Sequence, residues 1–168
     1  QNRIINYIGI LSDLTEHKLK ERRLSYLENY DPLTDLPNRF YYNYQLHLYL
    51  ISQQDSLQQL AVIRLNIDRF RPLNEYLSNN GGDELLRQVA QRLRITNAEA
   101  LIVAHLNGDD FAIVYEISHI RPSIEEHCER ITKAFNLPFN VQGQEHIITL
   151  SMGVSLYPEH GRQLDYLN

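Results

Sequence analysis

Residues 101–117 read LIVAHLNGDDFAIVYEI, two apolar runs on either side of Asn107-Gly108-Asp109-Asp110. Asn-Gly between apolar runs is a tight-turn dipeptide, and it predicts a hairpin with strands at about 101–106 and 111–117. The two adjacent acids at its tip repel each other and resist desolvation. Either a cation offsets that cost or the turn is solvated. A second stretch, PFNVQGQEHIITLSMGVSLYP (138–158), predicts another hairpin turning at Gln142-Gly143. Strands alternate with helices along the chain, but two hairpins impose antiparallel pairs. The fold class is therefore α+β, not a doubly wound sheet.

Working outward, LAVIRLNID (60–68) reads as a buried strand, apolar on both faces until Asn66. Helices are expected at about 38–53, 82–95 and 123–136. In the second of these, Leu85, Leu86, Val89 and Leu93 recur at helical spacing. Pro32 and Pro37 bracket a turn in DPLTDLPNR (31–39), where Thr34 or Asp35 is placed to cap the next helix. The aromatic run Phe40, Tyr41, Tyr42 and Tyr44 reads as core and amphipathic edge. Upstream, residues 16–30 form a charged amphipathic helix with Leu19, Leu24 and Leu27 on one face. A β-branched strand at about 4–12 precedes it.

Bulk composition excludes several classes. The 168 residues are 43% hydrophobic and 22% charged, an ordinary globular mix. Net charge is −5 with no Lys/Arg block, so nucleic acid is not an expected partner. No apolar run is long enough to span a bilayer. The single cysteine, Cys128, suits a reducing compartment and reads as helix-face filler. The seven histidines form no zinc-ligand spacing. The chain reads as a fragment of a longer protein with a cytoplasmic location.

One constellation carries chemistry. Side chains 66 and 68 alternate onto one strand face. If that strand neighbours the first hairpin, Asn66 and Asp68 face Asp109 and Asp110. Acids converging from neighbouring strand ends are a way to hold Mg²⁺ against a triphosphate. Surface acids on a solvated turn explain the same pair, and spacing alone does not choose.

Four ordered motifs go further: DPLTDLPNR (31–39), NIDRFRPLNEYLSNNGGDELL (66–86), LNGDDF (106–111) and TLSMGVSLYP (149–158). Together they resemble the GGDEF domain of the diguanylate cyclase family over residues 31–168. The resemblance implies a palm-like α+β domain with a mixed or antiparallel central sheet of about five strands. It further implies two GTP condensed to cyclic di-GMP across a homodimer, with Mg²⁺ as cofactor wherever nucleotide is bound. SDLTEHK (12–18) resembles the end of a PAS domain. Residues 1–15 are then its last strand, 16–30 a signalling helix, and 31–168 a C-terminally truncated GGDEF domain.

By this resemblance the signature loop falls on Asn107-Gly108-Asp109-Asp110-Phe111. Asp109 stands at a metal-ligand position, Asp110 at a catalytic acid one methylene shorter than usual, and Asn107 and Gly108 beside the nucleotide. Asn107 replaces a glycine, and asparagine tolerates the left-handed backbone. The other metal-ligand acid is Asn66 here, Ile67 would offer its backbone carbonyl, and Asp68 is a possible substitute. Asn74 and Asp83 match the guanine readers, although Asp83 at a helix start is equally a capping residue. The Gly-His pair between those readers is Ser78-Asn79. The inhibitory product site would fall on Ala98 and Leu101 and is lost, and the usual arginine before the loop is His105.

Two functions stay open. One is an active or weakly active cyclase with Asp109 on metal and Asp110 assisting. The other is a degenerate module that senses GTP or relays a dimer signal, joined to PAS upstream and an EAL phosphodiesterase domain downstream. Asn66 favours the second, because a neutral amide is a weaker ligand for a hard cation.

Overall fold

The computed structural model describes residues 15–52, 59–117 and 123–160. The strand expected at 4–12 lies outside them. The elements in order are α1 (Thr15–Asn29), α2 (Arg39–Ser52), β1 (Gln59–Ile67), α3 (Phe70–Thr96), β2 (Ile102–Asn107), β3 (Asp110–Ile117), α4 (Ile124–Phe135), β4 (Phe139–Val141), β5 (Gln144–His146) and β6 (Leu150–Tyr157). Among the described residues the main sheet has four strands in the order β2-β3-β1-β6, with every neighbouring pair antiparallel. About five were expected. The Gln142-Gly143 turn closes only the small β4–β5 pair, both of its residues having positive φ, and β6 instead pairs with the free edge of β1.

The apolar character of β1 follows from cover on both faces. Ile63, Leu65 and Ile67 belong to one core with Leu85, Val89 and Leu93 of α3 and Ile131 and Phe135 of α4. Leu60 and Val62 belong to a second core with Tyr42, Leu46 and Leu50 of α2. Beyond Val62 the second face changes. Arg64 and Asn66 follow at alternate positions, both partly exposed. Arg64 corrects the reading of a strand apolar up to Asn66.

Three further readings change. The helix expected to start at 82 starts at Phe70 and passes through the glycine pair. Asp83 therefore sits inside a helix and caps nothing. At the start of α2, Asn38 is the cap, its Oδ1 accepting from Tyr41 N at 3.0 Å. Thr34 instead donates its N–H and hydroxyl to Asp31, and Asp35 has a φ of 61°. Finally, Asn107 does not take the left-handed backbone; Gly108 does, with a φ of 50°.

The helix α1 leaves Leu19, Leu24 and Leu27 exposed. It is fastened at its C-terminal end, where the Tyr30 ring stacks on Tyr41 and Asn38 Nδ2 donates to Glu28 O at 2.9 Å.

Candidate functional site

The register of the sheet sets the site. Asn66 of β1 lies directly opposite Asp110 of β3 on one side and Ser151 of β6 on the other. Ile67 N–H donates to the Asp109 carbonyl at 3.3 Å. The strand end and the hairpin tip are thus held together, as the constellation required.

The acids do not stand facing each other unrelieved. Asp110 Oδ1 accepts from Asn66 Nδ2 at 3.0 Å. Its Oδ2 lies 3.8 Å from the Arg64 guanidinium, with the two side chains 33% and 29% exposed. In the amide orientation that satisfies both its groups, Asn107 donates to the same oxygen at 3.3 Å and accepts from Arg39 at 2.8 Å. Nitrogen donors therefore surround Asp110. Arg64 was missed in the sequence; its signal was a cation two residues before Asn66, on the same strand face.

A divalent ion needs oxygen lone pairs converging on one point. Among the described residues no three acidic, histidine or cysteine side chains converge in that way. Asn66 turns its N–H side toward Asp110. Asp68 is engaged with β6: it accepts from the Thr149 and Ser151 hydroxyls, each at 2.6 Å, and its N–H donates to Thr149 O at 3.0 Å. The Ser151 and Thr149 hydrogen bonds hold its carboxyl below the ordinary aspartate value. Mg²⁺ is therefore poorly served here: Asn66 brings no charge, and both Asp68 oxygens are engaged by hydroxyls.

The two positions that the resemblance assigns to the base, Asn74 and Asp83, come together by a different route. Asn74 Oδ1 lies 1.7 Å from the point where a Cβ on Gly82 would sit. A straight helix separates residues eight apart by roughly 12 Å, so α3 is bent between them. The bend packs Asn74 against the residue next to Asp83, and only glycine at 82 leaves room for it. Both Asn74 and Asp83 are partly exposed.

His105 links the hairpin to the turn before α2. The buried ring places Nδ1 3.0 Å from Asp31 Oδ2 and Nε2 2.9 Å from the Gly108 carbonyl, and it stacks on Phe111. Ala98 and Leu101 line a separate pocket of about 380 Å³ together with Tyr41, Tyr49 and Arg94. The open face beside Asp110 is a groove of about 670 Å³, lined by Arg64, Asn66, Ser151, Gly153 and Ser155. Its size is within the usual range for a small-ligand site.

An antiparallel sheet backed by helices, with an acid-bearing hairpin beside a strand end and an open groove, defines a palm-like domain of the nucleotidyl cyclase type. Residues 28–168 match the family described as diguanylate cyclase, GGDEF domain. The chain belongs to the GGDEF domain family, the domain of cyclic di-GMP signalling. It is similar to an uncharacterized signaling protein of Caulobacter vibrioides, 33% identical over 156 residues, which are 92% of this chain and 19% of the relative. Cyclic di-GMP phosphodiesterase NbdA of Pseudomonas aeruginosa is 32% identical over 86% of this chain and 18% of its own length. Diguanylate cyclase TpbB of the same species is 31% identical over 82% of this chain and 32% of its own length. A crystal structure of a sensory box/GGDEF family protein from Caulobacter crescentus superposes with a TM-score of 0.75 at 33% identity, covering 83% of this chain and 90% of that one. The chain spans about a fifth to a third of the length of these curated relatives. No helix among the described residues is long and apolar enough to cross a membrane.

Proposed function

We propose that this domain is a degenerate member of its family, a GTP-sensing or signal-relaying module that makes little or no cyclic di-GMP. The observation that carries the reading is the Asn66–Asp110 hydrogen bond of 3.0 Å. It sits where the family resemblance puts a carboxylate on the metal. Phosphoryl transfer spreads negative charge over its transition state, and losing a metal-holding acid removes stabilisation worth several kcal/mol. The packing of Asn74 over Gly82 beside Asp83 supports retained guanine recognition. Asp109 and Ile67 keep the metal-ligand positions that the resemblance assigns them, and Asp68 is hydrogen-bonded elsewhere.

Relay has a physical path in this reading. The stack of Tyr30 on Tyr41 and the Asp31–His105–Gly108 chain join the base of α1 to the hairpin carrying Asp109. The exposed leucines of α1 suit a homodimer formed through that helix. PAS upstream, EAL downstream and a cytoplasmic setting complete the proposal. A weak cyclase is the second reading, favoured by retention of Asp109 and Asp110. The test is cyclic di-GMP formation from GTP and Mg²⁺ by the protein beside Asp109→Ala. The proposal expects both at background while GTP still binds; turnover near ~1 s⁻¹, the low end of ordinary enzymes, contradicts it.

A further inference from the structure

Arginine is an expensive residue in the middle of β1. Its strand neighbours Ile63 and Leu65 are buried, and α2 covers the same face as far as Val62. Arg64 is placed where that cover ends. It pairs in register with Gly153 of β6, where an added Cβ would meet nothing within 4 Å. The guanidinium thus lies on an open floor, 3.8 Å from Asp110 and about one-third exposed.

This is a positive charge at the acid that the family uses beside its metal. Asn66 and Asn107 add two more N–H donors to the same carboxylate. A divalent ion could recruit the Asp110 carboxylate only by displacing all three nitrogen groups. A phosphate would not, because guanidinium offers several N–H groups in a planar fork, and Asp110 occupies it only loosely.

We propose that the site takes a guanine nucleotide without a divalent cation, the Arg64 guanidinium supplying the positive charge and receiving a phosphate on the open sheet face. The inference rests on the nucleotide-sensing reading above and makes it metal-independent. Arg64 then binds ligand through charge and a fork of donors, and Asn66 keeps Asp110 satisfied when the guanidinium turns toward the phosphate.

The experiment titrates a fluorescent GTP analogue into the protein in excess EDTA and, separately, in excess Mg²⁺. It is repeated with Arg64→Gln and Arg64→Lys, each checked for folding by thermal denaturation. Affinities within about threefold of each other in the two buffers are expected, with Arg64→Gln weakening binding about tenfold (~1.4 kcal/mol) in EDTA and Arg64→Lys weakening it less. Binding seen only with Mg²⁺ overturns the inference and leaves nucleotide sensing intact. Binding in neither buffer overturns both. Undiminished EDTA binding by a folded Arg64→Gln removes Arg64 from the role. The comparison of buffers uses the unmodified protein and so does not depend on any variant folding.

Discussion

Asn66→Asp should destabilise the protein without metal and restore it with metal. The substitution exchanges an N–H donor 3.0 Å from Asp110 Oδ1 for a second carboxylate. A hydrogen bond to a charged group, about 1.5–3 kcal/mol, is lost. Like charges 4 Å apart add between about 1 kcal/mol in water and about 4 kcal/mol near a protein surface. Asp110 is 33% exposed, so the lower part of that range applies. The total is about 2–4 kcal/mol, or a Tm roughly 5–10 °C lower in EDTA for a chain of this size. Millimolar Mg²⁺ should return much of it, since ligand at about a hundred times its Kd stabilises by ~2.7 kcal/mol. Two carboxylates sharing a site raise one pKa in the folded state. The deficit is therefore full at neutral pH and fades as pH falls through that raised value. Thermal denaturation of parent and variant in EDTA, in Mg²⁺ and at several pH values reads all three effects. A variant as stable as its parent in EDTA, and unmoved by Mg²⁺, would rule out both the stabilising Asn66–Asp110 bond and a regained metal site.

Gly82→Ala should lower GTP affinity by about tenfold, the loss of one ~1.4 kcal/mol contact, because the new methyl occupies the place of Asn74 Oδ1; unchanged binding by titration would separate Asn74 from base recognition. Asp31→Asn should destabilise the fold in a pH-dependent manner. Burial pushes the Asp31 carboxyl up, but hydrogen bonds from Thr34 and His105 outweigh it and hold the folded value below the ordinary one. That stability is present above about pH 4 and is lost as pH falls through the depressed value, so the gap between parent and variant should close in acid. Urea denaturation across pH checks this, and a gap that persists in acid argues against the assignment.

The turns were the most legible part of the fold. Both hairpins close where a glycine was read, Gly108 and Gly143 each having positive φ, although the first turn sits one residue later than expected, on Gly108-Asp109, because Asn107 pairs with Asp110. The glycine pair at 81–82 misled for the opposite reason. Glycine usually punctuates a helix, and here it permits a bend that brings Asn74 back onto residue 82. Nothing local in the sequence announces such a contact. Arg64 was lost in an apolar run because period-two reading counts hydrophobic residues and passes over the exception. Asn66 was visible as a missing charge, but its bond to Asp110 needed the register of β1 against β3. Asp68 shared a strand parity with Asn66 on paper, yet β1 ends at Ile67, and the Thr149 and Ser151 hydroxyls claim its carboxylate.

In the proposed function, Asn66 leaves the domain without a working metal site. Cyclic di-GMP formation from GTP and Mg²⁺ is the decisive assay, with the protein, Asn66→Asp and Asp109→Ala compared at matched protein concentration. The unmodified protein should stay near the Asp109→Ala background, and Asn66→Asp should exceed it by about tenfold or more, ~1.4 kcal/mol of recovered transition-state stabilisation. Turnover near ~1 s⁻¹ by the unmodified protein, with no gain on Asn66→Asp, would contradict the account.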